Sequence, residues 1–316
     1  MKALVTGGAG FIGSTLVDRL LAEDWAVDVI DNLASGNLAN LADARADRSN
    51  ELTFHQIDIG AEGVVDLIER RHPDVVFHLA AQADVRRSVA EPAFDAQVNI
   101  IGGINVLEGA RRAGTRRMVF ASSGGTIYGE VDPADLPVTE AHPLRPLSPY
   151  GITKRAFTDY LVAYRELYHL EYTSLALANV YGPRQDPHGE AGVVSIFAGK
   201  LLAGEPCQIF GTGEQTRDFV FVDDVVDAFF RAATKGDGLL MNIGTGRETS
   251  VNELYASMAA AAGVGDGALY APAREGELDR SALNAGRAKM QLGWDAWTDI
   301  DTGSRAVIEW ERGRTR

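Results

Sequence analysis

Tyr150 and Lys154 stand four residues apart in the stretch Ser148-Pro149-Tyr150-Gly151-Ile152-Thr153-Lys154. On a helix, whose start Pro149 favours, that spacing sets both side chains on one face. A phenol titrates near pH 10 and is a poor base at neutrality. A neighbouring ammonium group stabilises the phenolate and draws that value down. Tyr150 then suits the removal of a proton from a substrate hydroxyl as hydride leaves the molecule. Lys154 has a second use, a hydrogen bond to the ribose of the hydride acceptor. With nine Tyr and five Lys in 316 residues, the Tyr-x-x-x-Lys pattern arises by chance in about one such chain in seven. Its position in the fold must therefore carry the weight.

A site for the hydride acceptor stands at the start of the chain. Thr6–Gly13 reads TGGAGFIG, directly after an apolar run and at the opening of an amphipathic one. Gly7, Gly10 and Gly13 suit a tight turn, a close approach of backbone to a pyrophosphate, and close packing of helix on strand. The helix N-terminus offers free N–H groups and a partial positive charge to the phosphates. Asp31, eighteen residues beyond Gly13, ends the next apolar run and is placed to bind the adenosine ribose hydroxyls. A carboxylate there repels a 2′-phosphate, which selects NAD over NADP. Asn32, Ser35 and Gly36 supply no base to offset it. Asp58, after the third apolar run, is a candidate for the adenine edge.

These groups need a scaffold of alternating strands and helices. Apolar runs at Ala3–Thr6, Val27–Ile30, Leu52–Ile57, Val75–Leu79 and Met118–Ala121 predict strands, and Tyr172–Ala178 continues the series. Helical patterns fall near Phe11–Glu23, Ala61–Arg71 and Phe94–Ala113. This alternation predicts an α/β fold, a Rossmann-type doubly wound parallel sheet. Strands apolar throughout require helices on both faces. Later helical patterns at Val193–Ala203, Val225–Thr234, Val251–Ala262 and Thr302–Arg312 are separated by Gly and Pro breaks. They predict a smaller α+β substrate domain over residues 181–316, after a nucleotide-binding domain over 1–180, with some interleaving of segments.

The formal net charge of −14 excludes a general nucleic-acid or anionic-membrane surface. One cysteine, Cys207, forms no intramolecular disulfide, and no apolar run approaches a membrane span. Without a signal-peptide pattern at Met1, the expected location is cytoplasmic. No metal is expected.

The combination TGGAGFIG, DNLASG, HLAAQADV, ASSGGTIYG, SPYGITK, NVYGPRQ and TRDFVFVDDV resembles the extended short-chain dehydrogenase/reductases, and within them the UDP-glucose 4-epimerase branch. The resemblance runs from Lys2 to about Trp310. It implies that Phe11 and Ile12 cover the pyrophosphate, Asp31 to Gly36 hold the ribose, and Asp58 and Ile59 meet the adenine. It further implies that Leu79, Ala80, Ala81, Gln82 and Asn99 line the cofactor groove, with Ser122 and Ser123 beside the nicotinamide. Asn179 would touch the sugar nucleotide, and Arg217 and Arg274 would clamp its diphosphate. The implied activity is NAD-dependent 4-epimerisation of a UDP-hexose through a 4-keto intermediate. The implied assembly is a homodimer formed through the helices near Phe94–Ala113 and Tyr150–Tyr168.

Two positions depart from or tune that pattern. The family places a Ser or Thr four residues before the tyrosine of its Tyr-Gly pair. Here that pair is Tyr128-Gly129 and the position is Gly124, so Ser123, Thr126 or a water must supply the hydroxyl. Ser281 matches a gate beside the sugar, and so small a residue suits a 2-acetamido group as well as a hydroxyl. A 4,6-dehydratase needs Asp-Glu where Gly125 and Thr126 stand. A UDP-glucuronate 4-epimerase or decarboxylase would need a further cation such as Arg184. A non-catalytic NAD sensor would not need both Tyr150 and Lys154.

Overall fold

The computed structural model describes residues 1–47, 51–186, 192–265, 267–273 and 278–314. Its first half runs β1 (Lys2–Thr6), α1 (Phe11–Ala22), β2 (Ala26–Asp31), α2 (Ala42–Asp47), β3 (Leu52–Gln56), α3 (Val64–Arg71), β4 (Val75–His78), α4 (Val85–Ala90), α5 (Pro92–Ala96), α6 (Gly103–Ala113), β5 (Arg117–Ser123), α7 (Gly124–Ile127), α8 (Pro149–Tyr168) and β6 (Glu171–Leu177). The second half runs β7 (Asn179–Tyr181), α9 (Val193–Ala203), β8 (Gln208–Phe210), β9 (Thr216–Arg217), β10 (Phe219–Phe221), α10 (Val222–Ala232), β11 (Leu239–Ile243), β12 (Thr249–Ser250), α11 (Val251–Ala262), β13 (Leu269–Ala271), α12 (Gly286–Leu292) and α13 (Ile300–Arg314).

Seven parallel strands form the main sheet in the order β11-β6-β5-β4-β1-β2-β3. Successive residues of β1 go to opposite cores. Ala3 and Val5 join Leu16 and Leu20 of α1 and Val225 and Phe229 of α10. Leu4 joins Ile68 of α3, Leu107 of α6 and Phe157 of α8. Both faces are therefore dry, which is why the strands are apolar throughout. Strand order reverses between β1 and β4, and a crevice opens there at the C-terminal edge of the sheet.

The expected strands and long helices are present, with two differences. The pattern near Phe94–Ala113 begins at Pro92 and is interrupted by a π-turn over Gln97–Gly102, between α5 and α6. Such turns place one extra residue in a helical path and re-aim its side chains. The main sheet also takes its outermost strand, β11, from the second half of the chain. Leu239–Ile243 is five residues framed by Gly236, Gly238 and Gly244, too brief to stand out as a run. Helix α10 likewise packs back on α1. The remaining strands pair as β7–β10, β9–β12 and β8–β13. Among the described residues no helix is long and apolar enough to cross a membrane.

Candidate active site

The crevice collects the ends of five strands. After β1 the chain turns at Gly7, whose φ of +71° lies in the left-handed region, and the Gly7 N–H donates to the Ile30 carbonyl at 2.8 Å. A Cβ on Gly7 would stand 2.8 Å from the Ala80 backbone nitrogen, and one on Gly13 would stand 2.1 Å from the Gly7 carbonyl oxygen. The fold itself thus demands glycine at both places. At Gly10 the nearest such atom is 3.2 Å away, and Gly10 caps α1 with no side-chain bond to the first-turn N–H groups. Those amides and the bare backbone above them make a cradle for a pyrophosphate. Phe11 and Ile12 flank it, half-buried.

Asp31 is buried at the end of β2. Its Oδ2 accepts from the Ala9 N–H at 2.9 Å and its Oδ1 from the Leu33 N–H at 2.8 Å. A Cβ on Gly36 would stand 2.9 Å from that carboxylate, so the turn after β2 closes tightly over it. Each oxygen keeps acceptor capacity for a ribose hydroxyl. Asn32 donates through Nδ2 to Asp58, whose other oxygen accepts from the Gly60 N–H at 2.6 Å. Ile59 is buried beside them and Ser35 lies exposed at the rim. On the other side of the crevice, Leu79 and Ala80 donate to the Thr6 carbonyl and hydroxyl, each at 3.2 Å, which fixes the loop running on through Ala81 to Gln82. Ser122 closes this wall, and its buried hydroxyl has no hydrogen-bond partner among the described residues. A phosphate cradle, a ribose carboxylate and an orphaned hydroxyl along one crevice fit NAD.

Helix α8 begins beside this crevice. Ser148 caps it, its hydroxyl accepting from the Gly151 N–H at 3.2 Å, and Pro149 takes the first turn. Tyr150 is half-buried. Lys154 is buried one turn on, donates to the Ala121 carbonyl at 2.9 Å, and lies 4.8 Å from the Phe120 ring centroid and 5.6 Å from that of Tyr150. Burial draws its pKa down to about 8, against the opposing pull of Asp95. The ammonium therefore persists at neutral pH. Burial, and the charge of Lys154, hold His78 down to about 3, so its imidazole adds no competing cation.

Gly124 opens α7, and the reason for its missing side chain is steric. A Cβ there would stand 2.3 Å from Leu283 Cδ1 and 3.1 Å from the Ala176 carbonyl oxygen. It would point into the small core of Ile127, Tyr128, Val138, Ala176 and Leu283. The Gly124→Ser variant should therefore lose about 1–3 kcal/mol of stability in thermal denaturation. It should gain no activity, and in a Leu283→Ala background the added serine should cost less than it does alone. Ser123 caps α7 without a side-chain bond, and the Thr126 hydroxyl makes only a long contact, 3.5 Å, with the Ser123 carbonyl. The Thr126 carbonyl lies so near Gly151 that a Cβ on Gly151 would stand 2.7 Å from it. Thr126 thus sits against the turn that carries Tyr150.

The substrate side converges through β7, β9 and β10. The Asn179 N–H donates to the Asp218 carbonyl at 2.9 Å, and Asn179 is level with Phe219 across the β7–β10 pair. Arg217, the residue before Asp218, is half-buried and donates to the Thr216 carbonyl at 2.8 Å. Asp218 was not singled out in the sequence. Its buried carboxylate accepts from the Thr245 N–H and hydroxyl, the Gly246 N–H and the Leu283 N–H, at 2.7–3.0 Å. It knots the loops after β9 and β11 to the segment that carries Ser281, which is half-buried. Burial raises its carboxyl pKa even against these donors. An acid inside the otherwise apolar stretch DFVFV was the available signal. Arg274 lies outside the described residues.

A doubly wound sheet whose cleft unites a glycine cradle, a ribose carboxylate and a Tyr–Lys pair defines a Rossmann-fold protein equipped for proton and hydride transfer. The model of the NAD-dependent epimerase/dehydratase family matches residues 3–244. A UDP-glucose 4-epimerase of Mycolicibacterium smegmatis is 49% identical over 317 residues, covering 100% of both chains. The crystal structure of a Thermotoga maritima UDP-glucose 4-epimerase with UDP-glucose has a TM-score of 0.93 at 44% identity, covering 100% of both chains. That of a Thermus thermophilus UDP-glucose 4-epimerase in complex with NAD has a TM-score of 0.91 at 41% identity, covering 99% of both chains. The chain belongs to the NAD-dependent epimerase/dehydratase family.

Proposed function

We propose that this protein is an NAD-dependent epimerase that inverts C4 of a UDP-hexose, UDP-glucose or UDP-galactose. The observation that carries the reading is the buried Lys154 beside Tyr150 at the mouth of an NAD-type crevice. Tyr150 takes the proton of the 4-hydroxyl, and Lys154 holds the phenolate that makes this possible. NAD, when bound, supplies the acceptor and later the donor of a hydride at C4. The 4-keto sugar turns over in the pocket, and Tyr150 returns its proton to the new hydroxyl. Arg217, Arg274 and Asn179 hold the nucleotide while the sugar rotates, so diphosphate contacts are firm and sugar contacts weak. Thr126 supplies the hydroxyl that Gly124 cannot, supported by its position against the Tyr150 turn.

The rivals lose support at named residues. Arg184, the cation a glucuronate site would need, is engaged by Asp18 of α1 at 2.7 Å. The dehydratase acid and base have no counterpart at Gly125 and Thr126. The exposed apolar residues Phe94, Ile101, Ile152 and Tyr160 lie on the two segments through which we propose that the protein dimerises. We propose a cytoplasmic location, with which the single buried and free cysteine is compatible. Ser281 leaves room for a 2-acetamido group, so UDP-N-acetylglucosamine should be turned over by the wild type and rejected by Ser281→Tyr. Equal rates in both would remove Ser281 as the gate.

The reaction is tested with UDP-galactose deuterated at C4, turned over in ordinary water. Deuterium retained at C4 of the UDP-glucose product is expected. Loss of the label to water would replace the hydride route with one through proton exchange.

A further inference from the structure

Asp95 is fully buried, carries no ion pair among the described residues, and has no part in the mechanism above. It lies at the end of α5, just before the π-turn. Its Oδ1 accepts from Gln82 Nε2 at 3.0 Å and Asn99 Nδ2 at 3.1 Å. Its Oδ2 accepts from the Thr153 hydroxyl at 2.9 Å. Thr153 immediately precedes Lys154 on α8. Asn99 closes the ring, exchanging bonds with the Gln82 backbone at 2.9 and 3.0 Å and reaching the Thr153 hydroxyl at 3.2 Å. One carboxylate thus bolts together the cofactor-side loop, the π-turn and the first turn of the catalytic helix. A charge buried this deeply is costly unless hydrogen bonds and an opposite charge offset it.

We propose that Asp95 is a positioning residue that sets both the place and the charge of Lys154, and through it the basicity of Tyr150. The inference rests on the Tyr150–Lys154 reading above. The groups facing Lys154 support it. From β4 comes His78, uncharged at neutral pH; from β5 come the Ala121 carbonyl and the Phe120 ring; from its own helix comes Tyr150. Asp95, across the α5–α8 contact, adds a carboxylate charge that acts on Lys154 in the direction that keeps the ammonium. Removing that charge lets burial draw the lysine down further. Turnover is then lost first on the alkaline side, where Lys154 gives up the proton whose charge holds the Tyr150 phenolate.

The test is the titration of the lysine Cε signals by carbon NMR in the holoenzyme, in which Lys154 is one of five lysines. The wild type should show one signal titrating below the ordinary lysine range. In Asp95→Asn it should move down by about one unit, the scale of one nearby charge in a protein interior. The loss of kcat should grow from pH 6.5 to 8.5, with KM for the UDP-sugar within about twofold. Thr153→Val keeps the charge and removes one bolt, so it should slow turnover while its lysine titrates as in the wild type. Thr153→Ser should restore the rate. An unmoved lysine in folded Asp95→Asn, or wild-type turnover in Thr153→Val, would overturn the proposal. The titration does not depend on which sugar is turned over, so failure of the epimerase reading would leave this readout standing.

Discussion

Tyr150→Phe should lower kcat by roughly 10²–10⁴-fold, the usual worth of a positioned acid–base group, while NAD stays bound. The substitution removes one oxygen from a half-buried side chain. It leaves the Ser148 cap, Pro149 and the Lys154 contact with the Ala121 carbonyl intact. The phosphate cradle, Asp31 and the Thr6–Ala80 contact lie on other elements, so cofactor content should be unchanged. The measurement is kcat at saturating UDP-galactose, together with the NAD released on denaturation. Near wild-type kcat with normal NAD content would show that another group removes the proton. A normal fold with NAD lost would instead make Tyr150 a cofactor-binding residue.

Gly13→Ala should cost NAD binding outright. The added methyl would stand 2.1 Å from the Gly7 carbonyl oxygen and 2.9 Å from Gly8 Cα, both backbone atoms that no rotamer change can clear. Either α1 moves away from the turn or the turn opens. Both displace the first-turn amides from the pyrophosphate position. Overpacking of this kind costs about 1–3 kcal/mol or more. The purified variant should therefore carry no NAD and unfold at a lower temperature than the wild-type apoprotein. Full NAD content would mean that the close packing of helix on turn is not what the third glycine serves.

The parts of this site that were legible from the residues are those whose chemistry depends on local sequence. The glycine turn, Asp31 at a strand end and the Tyr–Lys spacing each need neighbours a few positions away. Asp95 and Asp218 were not legible because their roles depend on contacts between distant segments. In EPAFDAQVN, an acid on an amphipathic helix reads as a solvated face, yet Asp95 is fully buried. The π-turn that follows it has no composition of its own. Gly124 read as a missing hydroxyl, and only the approach of Leu283, from 159 residues further along, gives its steric reason. β11 stayed hidden for a similar reason, since a five-residue run between glycines, broken by Asn242, becomes a strand only against the edge of β6.

The most direct test of the central claim is to incubate the purified protein with UDP-galactose, with no NAD added, and follow the sugar by proton NMR. The account predicts UDP-glucose, formed with cofactor that the protein already carries and regenerates on each turnover. No conversion, even after NAD is supplied, would contradict it.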